Sequence, residues 1–143
     1  MPLQTAFDLL LVTPVESDSR ALARILAQSR WVLHWARTGR EGLEFVRHAS
    51  FMAVVCDRDL RDGSWQEFAS ALRVIPDAPL LLVACSDPRG LWFDVVQSGG
   101  FDVVLKPFER GEMTWALTTA WCHWSDRATR ARAKSNGHLH GGF

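Results

Sequence analysis

Two residues of this sequence have the types and the surroundings that chemistry needs. Asp57 closes the apolar run Ala53–Cys56 within the stretch VVCDRDLRDGSW, with Asp59 and Asp62 close behind it. Lys106 closes the run Val103–Leu105 and stands directly before Pro107. A carboxylate at one strand end and an ammonium at another can place a reactive group, or can pair and simply finish the strands. The proline favours a tight turn, cis bond included, that aims the lysine inward. Cys56, Cys85 and Cys122 offer no metal-ligand spacing, and two of them end apolar runs, so they read as reduced thiols in a core.

For Asp57 and Lys106 to meet, strands must bring them together. Phe7–Val12, Ala53–Cys56, Leu80–Ala84 and Val103–Leu105 are short, rich in valine and leucine, and do not alternate. That is the pattern of strands buried on both faces of a parallel sheet. Trp31–Trp35 is more amphipathic and reads as an edge strand. Helical spacing fills the intervals. Leu22, Ile25, Leu26 and Ser29 share a face of a helix that Ser17 or Asp18 would cap. A shorter helix with Leu43 and Val46 starts near Thr38. Trp65, Phe68, Ala69 and Leu72 mark the next, and Met113, Leu117, Ala120 and Trp124 the last. Trp65, Trp121 and Trp124 fall on inner faces, which makes them core. Right-handed crossovers would build an α/β doubly wound five-stranded parallel sheet with helices on both faces. The ligand site of such a sheet lies beyond the carboxyl ends of its strands. Thr13-Pro14, Asp57, Ala84-Cys85 and Lys106-Pro107 all belong there.

The composition bounds the rest. A chain of 143 residues, 48% apolar, suits one domain with a core of its own. With 16 basic and 16 acidic residues, the net charge of zero argues against a nucleic-acid binder that works by bulk attraction. No apolar run is long enough to span a bilayer, and the N-terminus lacks a secretory pattern, so a cytoplasmic protein is expected. Residues 1–125 hold the domain. In 126–143, Arg127, Arg130, Arg132 and Lys134 continue the last helix as a basic extension, and a Gly- and His-rich disordered tail is expected to follow. No Gly-rich phosphate loop follows the first strand, and no nucleophile–histidine pair is identifiable, which argues against a flavin-binding or hydrolytic enzyme.

Taken together, the motifs resemble the receiver domains of bacterial two-component response regulators, over about residues 6 to 125. The stretch CDRDLRDGSW resembles the phosphoacceptor strand and loop, D-x-x-L-P-D-G, with Arg61 where proline is usual. APLLLVACSD resembles the fourth strand, SGGFDVVLKPF the fifth strand with its Lys-Pro-Phe ending, and ARTGREGL the start of the second helix. The resemblance implies a CheY-like, flavodoxin-like fold with strand order 2-1-3-4-5. It implies that Asp57 accepts a phosphoryl group from a kinase histidine, that Lys106 contacts the phosphoryl oxygens, and that the chain is otherwise no enzyme. Magnesium would be held by Asp57, by the backbone carbonyl of Asp59 and by an acidic pair ending the first strand. Thr13 and Pro14 stand at that pair's positions, leaving Glu16, or Asp18, as the acid to compensate. Ala84 replaces the usual switch Thr or Ser, and Val103 the usual inward-turning aromatic residue.

The implied partners are a sensor histidine kinase or phosphotransfer protein and a downstream effector, with homodimers through the face of the fourth and fifth helices. No DNA-binding motif follows the last helix, and no membrane partner is expected. The fourth helix, Leu91–Val96, is apolar around most of its circumference, which a surface helix should not be. Trp92, Val96 and Trp115 are therefore expected to form a partner face. Two functions stand side by side. One is a stand-alone phosphoaccepting receiver in a phosphorelay. The other is a pseudo-receiver that docks proteins through helices four and five without phosphorylation.

Overall fold

The structure, a computed structural model, describes residues 7 to 140, with side chains through residue 133. The chain alternates strand and helix in the order β1 (Phe7–Val12), α1 (Glu16–Leu26), β2 (Trp31–Ala36), α2 (Gly39–His48) and β3 (Ala53–Asp57). A two-residue-per-strand hairpin, β4 (Asp59–Leu60) and β5 (Gly63–Ser64), leads into α3 (Trp65–Arg73). Then come β6 (Leu80–Cys85), α4 (Leu91–Gln97), β7 (Asp102–Leu105) and α5 (Arg110–His140). The main sheet is parallel, ordered β2-β1-β3-β6-β7, which is 2-1-3-4-5 when the hairpin is left out.

The non-alternating runs are the reason for this arrangement. Every residue of β3 and β6 is buried, because helices cover both faces of the central strands. One core layer sets Phe68, Leu72 and Val95 of α3 and α4 against Leu10, Val54 and Val83. The opposite layer sets Leu22, Met113 and Leu117 of α1 and α5 against Leu9, Val55 and Leu82. At Gly42 of α2 an added Cβ would stand 2.8 Å from Val12 Cγ2, so glycine lets this helix press against the end of β1.

At the free edge of the sheet, β7 hides its outward amides. Lys106 N donates to Cys85 O of β6, so the alternate amides point away from the sheet. Val103 N donates to Asp102 Oδ1 at 2.7 Å and Leu105 N to Glu112 Oε1 at 3.2 Å. Side-chain carboxylates thus occupy donors that another strand would otherwise use.

Two expectations need correction. Neither Ser17 nor Asp18 caps α1: Val15 is the cap residue and makes no side-chain cap bond, because the helix already begins at Glu16. Trp121 is 38% exposed, not core. Its ring meets that of Phe7, the first residue of β1, at 6.0 Å between centroids. Asp62, in the turn between β4 and β5, clamps α2. Its Oδ1 and Oδ2 accept from Gly39 N and Arg40 N, both at 2.9 Å, while Thr38 Oγ1 accepts from Glu41 N. The helix α5 continues without a break through Asp126 to His140, a stretch in which Ala128, Ala131 and Ala133 favour helix. Residues 141–143 lie outside the described residues.

The bond from the Arg40 amide, the largest influence, holds the Asp62 carboxyl below its ordinary range, with the Gly39 amide acting the same way. A depressed folded-state pKa gives stability that is present above the unfolded value and is lost as pH falls through the folded one. Asp62→Ala is therefore expected to cost about 1 kcal/mol near neutrality, the size of a lost cap. The difference from wild type should shrink in urea titrations run below about pH 3, where an unperturbed aspartate is protonated.

Candidate functional site

The carboxyl ends of β1, β3 and β7 converge on one corner. Thr13 follows β1, Asp57 ends β3, and Lys106 follows β7, through a cis bond to Pro107. Registers that pair Val12 with Cys56 and Asp57 with Ala84 set the ends of the three central strands level. The convergence expected from the sequence is what the fold contains.

Asp57 is 3% exposed, and its carboxylate accepts three hydrogen bonds. Oδ2 accepts from Thr13 Oγ1 at 2.9 Å and from Lys106 Nζ at 2.8 Å. Oδ1 accepts from Asp59 N at 3.0 Å. Thr13 is buried as well, and its hydroxyl oxygen also accepts from Val15 N at 3.1 Å. Its carbonyl accepts from Trp35 Nε1 at 3.0 Å, and the Arg37 guanidinium lies 4.0 Å from the centroid of that indole. The corner is thus tied to the end of β2 as well.

The second partner of Lys106 is Asp18, whose Oδ2 lies 2.8 Å from Nζ. Burial pulls the lysine's pKa down, but hydrogen bonds and charge from Asp18 and Asp57 outweigh it, so the net direction is upward. The ammonium stays charged and bridges the two carboxylates. Beside them, burial and the charges of Asp57 and Asp62 push the Cys56 thiol far up, which leaves it protonated and inert.

Of the expected site residues, the fold brings Asp57 and Lys106 together. Asp59 contributes its amide to the carboxylate, while its own side chain is exposed beside Arg58. Glu16 is not brought in. At the first position of α1 it pairs with Arg20 in solvent, and Asp18, two residues on, takes the inward face shared with buried Leu22. Thr13 was legible only as a missing acid, and its role as a donor to Asp57 had no sequence signal. Ala84 is buried with no hydroxyl to offer, and Val103 packs into the core layer under α4. On the outer surface Trp92, Phe93 and Val96 of α4 are exposed, as its apolar circumference predicted, and so is Trp115 of α5, whose phase sets it opposite the stripe of Met113, Leu117 and Trp124. Among the described residues, no helix is long and apolar enough to cross a membrane.

No protein-family model matches the sequence, and no curated protein matches it. Similarity lies with solved structures. The signal receiver domain of an HD domain-containing protein from Pseudomonas fluorescens Pf-5 is 18% identical, with a TM-score of 0.79 over 87% of this chain and 93% of that one. The chemotaxis response regulator CheY4 of Vibrio cholerae is 20% identical, with a TM-score of 0.74 over 81% and 99%. A structure described as adenylate cyclase from Rhodopirellula baltica is 16% identical, with a TM-score of 0.82 over 92% and 98%. The sheet order, the two covering layers of helices and these superpositions agree: the chain has the CheY-like fold of response-regulator receiver domains.

Proposed function

We propose that this chain is a signalling module of the response-regulator type that acts by binding partner proteins, with Asp57 kept as a standing ion pair rather than loaded with a phosphoryl group. The receiver-domain neighbours support the coarse reading. The finer one is carried by the engagement of Asp57, both of whose oxygens accept hydrogen bonds from the chain's own groups. Phosphoryl transfer to a carboxylate needs an oxygen able to meet phosphorus in line, and positive charge on the transferred oxygens; Oδ2 is taken twice over, and the one cation at the corner is spent on the carboxylates themselves.

Magnesium normally helps to supply that charge from a strict octahedron of oxygens. Of such a set the corner offers two carboxylates, Asp57 and Asp18, and the facing oxygen of each already accepts from Lys106. Pro14 has no side-chain oxygen, the Thr13 hydroxyl is committed to Asp57 and Val15, and Lys106 bridges Asp18 and Asp57. Ala84 and Val103 lack the hydroxyl and the ring through which occupancy of the corner would be passed on. Regulation then resides in which protein is bound, a kinase-like or effector partner, and not in a covalent mark.

A phosphoaccepting receiver is the second reading. The 2.8 Å contact between Lys106 Nζ and Asp57 favours it, since that ammonium is placed to neutralise phosphoryl oxygens. Incubation with magnesium and acetyl phosphate, followed by intact-protein mass spectrometry beside Asp57→Asn, separates the two. The expected spectrum shows no added phosphoryl mass on either protein. An adduct on wild type that Asp57→Asn lacks would replace the first reading with the second.

A further inference from the structure

The rim opposite Asp57, at the amino ends of the strands, carries an open cleft. Phe7 begins β1, Phe51 and Met52 precede β3, and Ala78 lies just before β6. The helix α5 runs back to this rim and sets Trp124, Ala128 and Ala131 against the residues that precede β3 and β6. Two hollows open there, of about 360 and 570 Å³, and they share Ser50, Phe51 and Trp124, so the cleft is continuous. Each has the size of a small-molecule site. Trp124, Ala128 and Ala131 recur at helical spacing on one face of α5, and alanine at the last two positions keeps the larger hollow open.

Aromatic surface meets cations in this cleft. Phe7, Trp121 and Trp124 line the smaller hollow together with exposed Arg30. Trp124 lines the larger one with Arg73 and Arg127. Arg127 is already fixed in place: Nη2 donates to Ala78 O at 2.9 Å, which leaves its remaining N–H donors to a ligand. Among the described residues, none of these arginines forms an ion pair. Of the lining carboxylates, Asp8 is held by His34 at 3.0 Å, which leaves Asp77 as the acid without a partner. The cleft is thus locally basic in a chain whose net charge is zero.

We propose that this cleft binds a purine nucleoside phosphate, its base against the indoles and its phosphate on the guanidinium groups. A flat ring system suits the faces of Trp121 and Trp124. A phosphate accepts the paired N–H groups of arginine and carries charge enough for more than one of them. An apolar peptide would leave the cations without a counter-charge, and a bare phosphate would leave the indoles in water. The site shares no residue with the corner around Asp57, so it goes beyond the docking role and does not depend on it.

Isothermal titration calorimetry of the full chain with AMP, GMP, adenosine and inorganic phosphate tests this. At least one nucleotide should bind, about 10-fold or more tightly than adenosine or phosphate, because each of those lacks half of the contacts. Arg127→Ala and Trp121→Ala, both at exposed positions, should each weaken that nucleotide by about 10-fold or more. Raised salt should weaken it too. Circular dichroism of the two variants checks that the fold is retained. Absence of binding by both nucleotides, or an affinity indifferent to both substitutions, overturns the proposal. So does a short oligoadenylate held about 10-fold more tightly than AMP, which would make single-stranded RNA the occupant. No readout here involves phosphoryl transfer to Asp57, so this proposal and the preceding one can fail separately.

Discussion

Lys106→Met is expected to lower the free energy of unfolding by about 3–5 kcal/mol, the cost of removing one partner from a buried ion pair. The loss comes less from the missing attraction than from what is left behind. Asp57, 3% exposed, would keep a charge answered only by the Thr13 hydroxyl and the Asp59 amide, with Asp18 still nearby. The double variant Asp57→Asn/Lys106→Met tests that explanation. Asparagine's carbonyl can still accept from Thr13 or Asp59 while carrying no charge, so most of the lost stability should return. Urea unfolding of wild type, both single variants and the double variant completes the cycle. A Lys106→Met effect below about 1 kcal/mol, the size of a surface pair, would show that the corner is solvated and the pair loose.

Trp65→Ala is expected to cost about 4 kcal/mol, in the range for truncating a buried aromatic residue. Trp65 is the first residue of α3 and 3% exposed. A capping box fixes it there: Ser64 accepts from Glu67 N, while the Glu67 carboxylate accepts from Ser64 N. The indole is held at the helix start and packs with Phe68, Val83 and Leu91 in the layer under α2, α3 and α4. Domains of this size have about 5–15 kcal/mol in all, so the variant should sit near the edge of folding. Near-ultraviolet circular dichroism and urea titration would record it. A loss under about 1.5 kcal/mol would mean that the neighbours close over the gap.

The central strands were legible because burial on both faces leaves a run without alternation. Asp57 and Lys106 were legible for the same reason, since each simply ends such a run. The exposure of Trp115 followed from helical phase, which is local. What depends on contacts between distant segments was hidden. Asp62 clamps a helix whose first amides lie 22 and 23 residues earlier, and nothing near Asp62 announces them. Asp18 was weighed beside Glu16, but the choice turned on where α1 begins. A start at Glu16 turns Asp18 to the inside and Glu16 to solvent. Trp121 was misplaced because it lies on the flank of the stripe formed by Met113, Leu117, Ala120 and Trp124, next to buried Ala120 but turned partly to solvent.

The bridge at Lys106 joins positions 88 and 49 residues away in the chain. Contacts of such separation are entropically the latest to form, because a long loop must close before they give anything back. In a chain that pairs β1 with β3 before β7 docks, Asp57 at the end of β3 has no cation until the last strand arrives. The corner thus registers completeness: only a chain assembled through β7 can neutralise its own centre. Interactions made after the rate-limiting barrier act on the escape from the native state and not on its formation. The lysine's contribution should therefore appear as slow unfolding, a residence time set by the last strand to arrive.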